Sequence, residues 1–206
     1  MNIISNSCVG SRIYEIFGEE FSNPFMWNVI QYKDFRELIL NYHNINFKKF
    51  ETSVYRTSKD SIAKTIFDDK INVYYIHYHQ NNSYEKPTKV NIDIYSNNIV
   101  SYTNNKIKNR VERLLNKNEE PIFIYETRDR PNFNAIYDNE TINDFINLKT
   151  QYTKMLITSD NEYKDRTGII NDCYVLYFND KRPNLPPNTE KMAKDLCNEF
   201  KYVFEK

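Results

Sequence analysis

A chain that opens Ile3-Ile4-Ser5-Asn6-Ser7-Cys8-Val9-Gly10 and keeps apolar residues at Ile13, Ile16 and Phe17 before Gly18 has few ways to fold. Ile3 and Ile4 read as a short buried strand. Asn6 and Ser7 are turn and N-cap residues, and the spacing of Ile13, Ile16 and Phe17 is helical, with Gly18 as the stop. A strand that turns directly into a helix is the opening unit of an open α/β fold, whose ligand crevices lie at strand ends beside helix N-termini. Cys8 falls in the first turn of that helix. The unpaired amide hydrogens and the dipole of a helix start favour an anion, so a thiol there ionises more readily than a free one. A cysteine at a helix start also serves as a small buried apolar residue, and both roles stay open on the sequence alone.

The rest of the chain repeats the alternation. Phe25 and Trp27 suggest a short extended piece after the Asn23-Pro24 turn, and Asp34 to His43 reads as a helix with Phe35, Leu38, Ile39 and Tyr42 on one stripe and His43 in a structural role at its end. Phe47 to Thr57 is ambiguous, with Val54 and Tyr55 favouring a strand, and Ser58 to Phe67 reads as a short helix closed by Asp68-Asp69. Ile71 to His79 is the clearest strand, and Val90 to Tyr95 alternates as a second one. Thr103 reads as the cap of a helix carrying Ile107, Val111, Leu114 and Leu115; a helix capped by Asp138 or Asn139 and a last one capped by Thr189 follow. Pro121 to Glu126, Lys154 to Thr158 and Cys173 to Phe178 are short apolar strands. Helices alternating with such strands predict an α/β fold: a single three-layer domain over 1–206, a mostly parallel sheet with helices on both faces.

Composition narrows the function. Lys+Arg and Asp+Glu balance at 28 each, which leaves no global field to draw in nucleic acid or an anionic membrane. No apolar run approaches a membrane span, and Met1-Asn2-Ile3 lacks the basic start of a secretory signal. The three cysteines, Cys8, Cys173 and Cys197, are too scattered for a disulfide framework or paired zinc ligands, so a cytoplasmic, reducing setting is expected. With three Gly in 206 residues there is no phosphate loop or dinucleotide fingerprint, and no cofactor is expected. The heavy use of Asn, Ile, Lys and Tyr matches A/T-rich codons and carries no functional weight.

In a parallel sheet the loops after Ser5, His79 and Glu126 can share one edge. That would gather Cys8, His77 or His79, and Thr127-Arg128-Asp129. A cysteine beside a histidine is the minimal apparatus for thiolate attack, with a third polar group to fix the imidazole. On this reading Cys8, His77 and Asp129 are catalytic. Asn6, Ser7, Trp27, His79, Thr127 and Arg128 line the substrate site, with Arg128 as an anion clamp. A competing use of His77 and His79, two apart on one strand face, is a metal site completed by Asp93 or Glu126. A further alternative is a non-catalytic or glycosyl-transfer-related protein of exopolysaccharide or glycan biosynthesis that binds a sugar or nucleotide-sugar, stacking rings on Trp27 and its tyrosines. The partner in every case is a small-molecule, glycan or peptide substrate.

The Ile4-Ser5-Asn6-Ser7-Cys8-Val9-Gly10 start, with Ile13-Tyr14 and Ser22-Asn23-Pro24-Phe25-Met26-Trp27, resembles a group of uncharacterised bacterial and viral proteins. One branch is labelled papain-like cysteine peptidase; a sister branch of unknown function is labelled exopolysaccharide biosynthesis protein. His77-Tyr78, Asn109 to Arg113 and Thr127-Arg128-Asp129 look like the later pieces of the same pattern, which spans about Ile3 to Asp160. Met26 stands where the peptidase-like branch usually has Asp. The resemblance implies a Cys-His reaction class.

Overall fold

The computed structural model describes residues 1–56, 61–75, 92–117, 119–127, 138–178 and 188–205. Its centre is a five-stranded sheet in the order β1 (Ile3–Ser5), β6 (Ile122–Glu126), β7 (Thr153–Thr158), β9 (Cys173–Tyr177), β8 (Gly168–Ile170). The first four run parallel and β8 joins β9 antiparallel. Strand alternation sends Ile4, Phe123, Tyr125, Leu156 and Val175 to one face and Ile3, Ile124, Met155, Ile157 and Leu176 to the other. The first face is covered by α2 (Tyr32–Asn41) and α4 (Asn139–Asn147), and α3 (Ile92–Asn116) contributes to the same core. The second is covered by α1 (Val9–Phe17), α5 (Thr189–Glu199) and α6 (Lys201–Phe204). The α/β class, the mostly parallel sheet and the two helical layers are therefore as the sequence predicts.

Between β1 and β6 the chain builds a second, antiparallel sheet that the sequence reading did not anticipate, in the order β2 (Asn28–Val29), β5 (Ile71–Tyr75), β4 (Ser61–Phe67), β3 (Phe50–Arg56). Its inner face adds Ala63, Phe67, Ile71, Val73 and Tyr75 to the core beneath α2 and α3, while Val29, Ile62 and Tyr74 gather on the other face. The predicted helix over Ser58 to Phe67 is thus a strand from Ser61. Ala63, Thr65 and Phe67 alternate inward, and the Asp68-Asp69 pair is a hairpin turn rather than a helix end, both residues having left-handed φ of 49° and 58°. Such primed turns match the twist of antiparallel strands, and Asp tolerates the conformation.

The strand expected over Val90 to Tyr95 is likewise corrected, because α3 begins at Ile92 and runs 25 residues. Thr103 is not its cap. It lies fully buried on the same stripe as Ile99, Ile107, Val111 and Leu114, whose spacing of three to four residues is that of one helix face. Short alternation around Ile92 gave way to the cooperativity of a long helix. Smaller shifts occur at caps. Cys8 rather than Ser7 is the N-cap of α1, and Asn188 rather than Thr189 caps α5, accepting from the Lys191 amide. Gly18 ends α1 in the left-handed conformation, and Asp138 caps α4 with a reciprocal Thr141 bond, both as expected.

Candidate functional site

The helix that follows β1 packs on one face of the parallel sheet and the helix that follows β6 packs on the other. Adjacent strands whose helices part in this way leave a crevice at their carboxyl ends. Cys8, 6 % exposed, lies at this switch point between β1 and α1. It ends the turn from β1 and begins α1, a nine-residue helix. The turn itself is held by serines. The Ser7 amide donates to Ser5 Oγ at 3.2 Å and the Val9 amide to Ser7 Oγ at 3.3 Å, so one helix-start amide is already engaged. Gly10 lets α1 sit tight against β1, since a Cβ there would lie 2.9 Å from that of Ser5.

Asn6 ties the two strands together at the same point. Its Nδ2 donates to the Glu126 carbonyl at 3.0 Å and its Oδ1 accepts from the Glu126 amide at 2.8 Å, continuing the β1–β6 ladder with a side chain. Its own carbonyl accepts from the Ile30 amide at 3.1 Å. Asn6 and Ser7 are both buried and hold the frame of the site. Thr127 follows β6 and donates from Oγ1 to Thr158 Oγ1 at 3.0 Å, which links the ends of β6 and β7.

Residues 27–30 run across the β1–α1 turn. The Trp27 amide donates to Ser11 Oγ at 2.8 Å, and Ile30 is the donor to Asn6, so Asn28 and Val29 lie between an anchor on α1 and an anchor on β1. Trp27 carries a left-handed φ of 56°, a strained conformation for a bulky residue and one found most often where function maintains it. Its ring packs edge-on against Phe21 and lies under the Arg12 guanidinium at 4.8 Å. Arg12 is one helical turn beyond Cys8, its amide donating to the Cys8 carbonyl. Met26, fully buried with its sulfur 3.7 Å from Ser11 Oγ, belongs to the apolar packing under this strap.

Cys8, Asn6, Ser7, Trp27 and Thr127 are therefore brought to one edge. His77, His79, Arg128 and Asp129 lie outside the described residues, as does the side chain of Asp93. The strand leading toward His77 ends at Tyr75, which is paired with Asn28, and the strand leading toward Arg128 ends at Glu126. Among the described residues no cluster of His, Cys, Asp and Glu could hold a metal ion, and no helix is long and apolar enough to cross a membrane. No protein-family model matches the chain, and no curated protein matches it either.

Two residues at this edge escaped the sequence reading of the thiol site. Glu126, 2 % exposed, has the strand parity of Ile124 and so shares the sheet face of α1. Asn28 is fully buried, and neither of its carboxamide atoms has a hydrogen-bond partner among the described residues. Each carried a signal in sequence: a carboxylate ends the apolar run Ile122 to Tyr125, and an amide interrupts the run Phe25 to Ile30.

The three thiols differ in their surroundings. Cys173 packs within one apolar cluster and Cys197 within the other, and burial pushes both thiols up to about 12. Cys8 belongs to neither cluster of the described residues, although it is 6 % exposed.

Proposed function

We propose that this protein is a cysteine-dependent hydrolase or acyltransferase with Cys8 as nucleophile. His77 would take the thiol proton and later protonate the leaving group, and Asp129 would orient the imidazole. The observation that carries the reading is the position of Cys8 as N-cap of α1 in the crevice where the β1 and β6 helices part to opposite faces. The dipole and amides of a helix start favour both a thiolate and the oxyanion that its attack creates. Support also comes from packing: Cys173 and Cys197 belong to apolar clusters of the described residues and Cys8 does not, although it is as buried as Cys197. The peptidase-like resemblance of the Ser5 to Gly10 start agrees in reaction class. All three cysteines are thiols, which suits a reducing, cytoplasmic setting.

The test is a burst of p-nitrophenolate when the protein meets p-nitrophenyl acetate, with the acetyl group traced by mass spectrometry. A thioester on Cys8, lost in Cys8→Ser and slowed about a hundredfold in His77→Ala, is expected. Acetylation spread over lysines, unchanged in Cys8→Ser, would refute the proposal.

A further inference from the structure

The edge of the parallel sheet farthest from β1 is β8, and no described strand pairs with its outer side. Asn171 and Asp172 make the two-residue turn from β8 to β9, with left-handed φ of 47° and 59°. Ile170 and Cys173 are then the hydrogen-bonded pair flanking that turn. Antiparallel pairs alternate, so Ile169 and Tyr174 are the non-bonded pair, and the Ile169 N–H and C=O point outward, away from β9. The Ile169 side chain is 60 % exposed and shares a face with Tyr174, whose ring meets those of Phe200 and Tyr202 at 5.2 and 6.1 Å. An apolar row thus runs from Tyr202 to the open edge and ends there on an isoleucine. An edge that offers backbone groups and an apolar side chain together is a template for another strand.

The charges around Ile169 select the occupant. Arg166 lies three residues before it and Asp172 three after. Both are exposed, and neither makes an ion pair among the described residues. Antiparallel pairing of this segment with itself, centred on Ile169, sets each residue before Ile169 against the one equally far after it in the other copy. Ile169 meets Ile169, Thr167 meets Asn171, and Arg166 meets Asp172 twice over by symmetry. The central pair is of the kind that exchanges two backbone bonds, as the outward N–H and C=O of Ile169 require.

We propose that β8 docks a second copy of this chain, pairing antiparallel about Ile169 in a two-fold dimer. The two sheets become continuous, the row from Tyr202 through Tyr174 to Ile169 runs on into its symmetry mate, and Arg166 and Asp172 close both ends. With only three residues in β8 the association is weak and reversible, with a Kd of about 10–100 µM.

Sedimentation velocity between about 5 and 500 µM tests this, and should show a shift from monomer to dimer. Ile169→Lys and Ile169→Glu each set like charges face to face on the axis, and each alone should stay monomeric with an unchanged thermal midpoint in dilute solution. Mixed in equal amounts, the two variants should associate again, because only a residue on the axis faces itself. Arg166→Glu, outside the hairpin, should weaken association by about threefold or more by opposing Asp172 with a like charge. A monomer at every concentration overturns the inference, as does a dimer that Ile169→Lys leaves intact. A mixture of the Lys and Glu variants that stays monomeric overturns the pairing about Ile169.

Discussion

Two buried polar side chains, one in the parallel sheet and one in the antiparallel sheet, are treated in opposite ways. Lys154, 3 % exposed near the start of β7, donates from Nζ to the carbonyls of Phe145, Ile146 and Leu148 at 3.3, 2.8 and 2.6 Å. Those carbonyls lie at the C-terminus of α4, that of Phe145 also accepting from the Leu148 amide, and the helix dipole there favours a cation. Asn28, in β2, is as deeply buried, and its carboxamide makes no hydrogen bond among the described residues. The first closes a helix onto a sheet. The other is a buried amide without a hydrogen-bond partner among the described residues, so the two groups differ in whether the fold engages them.

The comparison can be broken by substitution. After the loss of acylation expected in Cys8→Ser, the next largest effect belongs to Lys154. Lys154→Met retains most of the volume but removes the donor to the Ile146 and Leu148 carbonyls, and should cost about 3 kcal/mol in urea unfolding while leaving Cys8 alkylation unchanged. A neutral Lys154→Met would remove the contrast, since neither buried polar group would then support the fold.

Gly10→Ala sharpens the same contrast from the α1 side. Its added Cβ would stand 2.9 Å from Ser5 Cβ and 3.3 Å from Ile3 Cγ2. That overlap, worth about 1–3 kcal/mol, has to exceed the roughly 1 kcal/mol by which Ala is the better helix former. A net loss of about 1 kcal/mol is expected, together with slower Cys8 acylation as α1 tilts off β1. Unchanged stability would mean that the approach of helix to strand is looser than described.

The smallest effect is a pH dependence. Burial pushes Cys173 and Cys197 to about 12, against an ordinary value of about 8.5. The native state therefore holds these protons where the unfolded chain has released them. Their contribution is complete below about pH 8.5 and is lost as pH rises toward 12. Lys154, lowered by desolvation, works in the reverse sense, because there the unfolded chain binds the extra proton. The double variant Cys173→Ala/Cys197→Ala should show a shallower alkaline decline in denaturation midpoints. An unaltered slope would count against the burial assigned to these thiols.

The parts of this architecture legible in sequence are those with a strong local period. Ile3-Ile4, Ile122 to Tyr125 and Lys154 to Thr158 could be read as strands, and the turn to Cys8 as a helix start, because burial on both faces leaves unbroken apolar runs. Ser61 to Phe67 was illegible for a physical reason. Its outward positions hold Lys64 and the partly buried Ile66, so the inward set Ala63, Thr65 and Phe67 has weak contrast, and the Asp68-Asp69 turn resembles a helix end. Thr103 misled because a hydroxyl at a stripe position imitates a cap. At the site, Cys8 was visible through its neighbours in sequence. Asn28 was not, because the meaning of an amide depends on whether it has a partner, and only the fold decides that.

The most direct test of the central claim is competitive alkylation of the folded protein with limiting iodoacetamide near neutral pH, mapped by peptide mass spectrometry. With Cys173 and Cys197 buried in apolar clusters and Cys8 at the crevice, Cys8 should be modified first and faster than either by about tenfold or more. Equal, slow labelling of all three thiols would contradict the account.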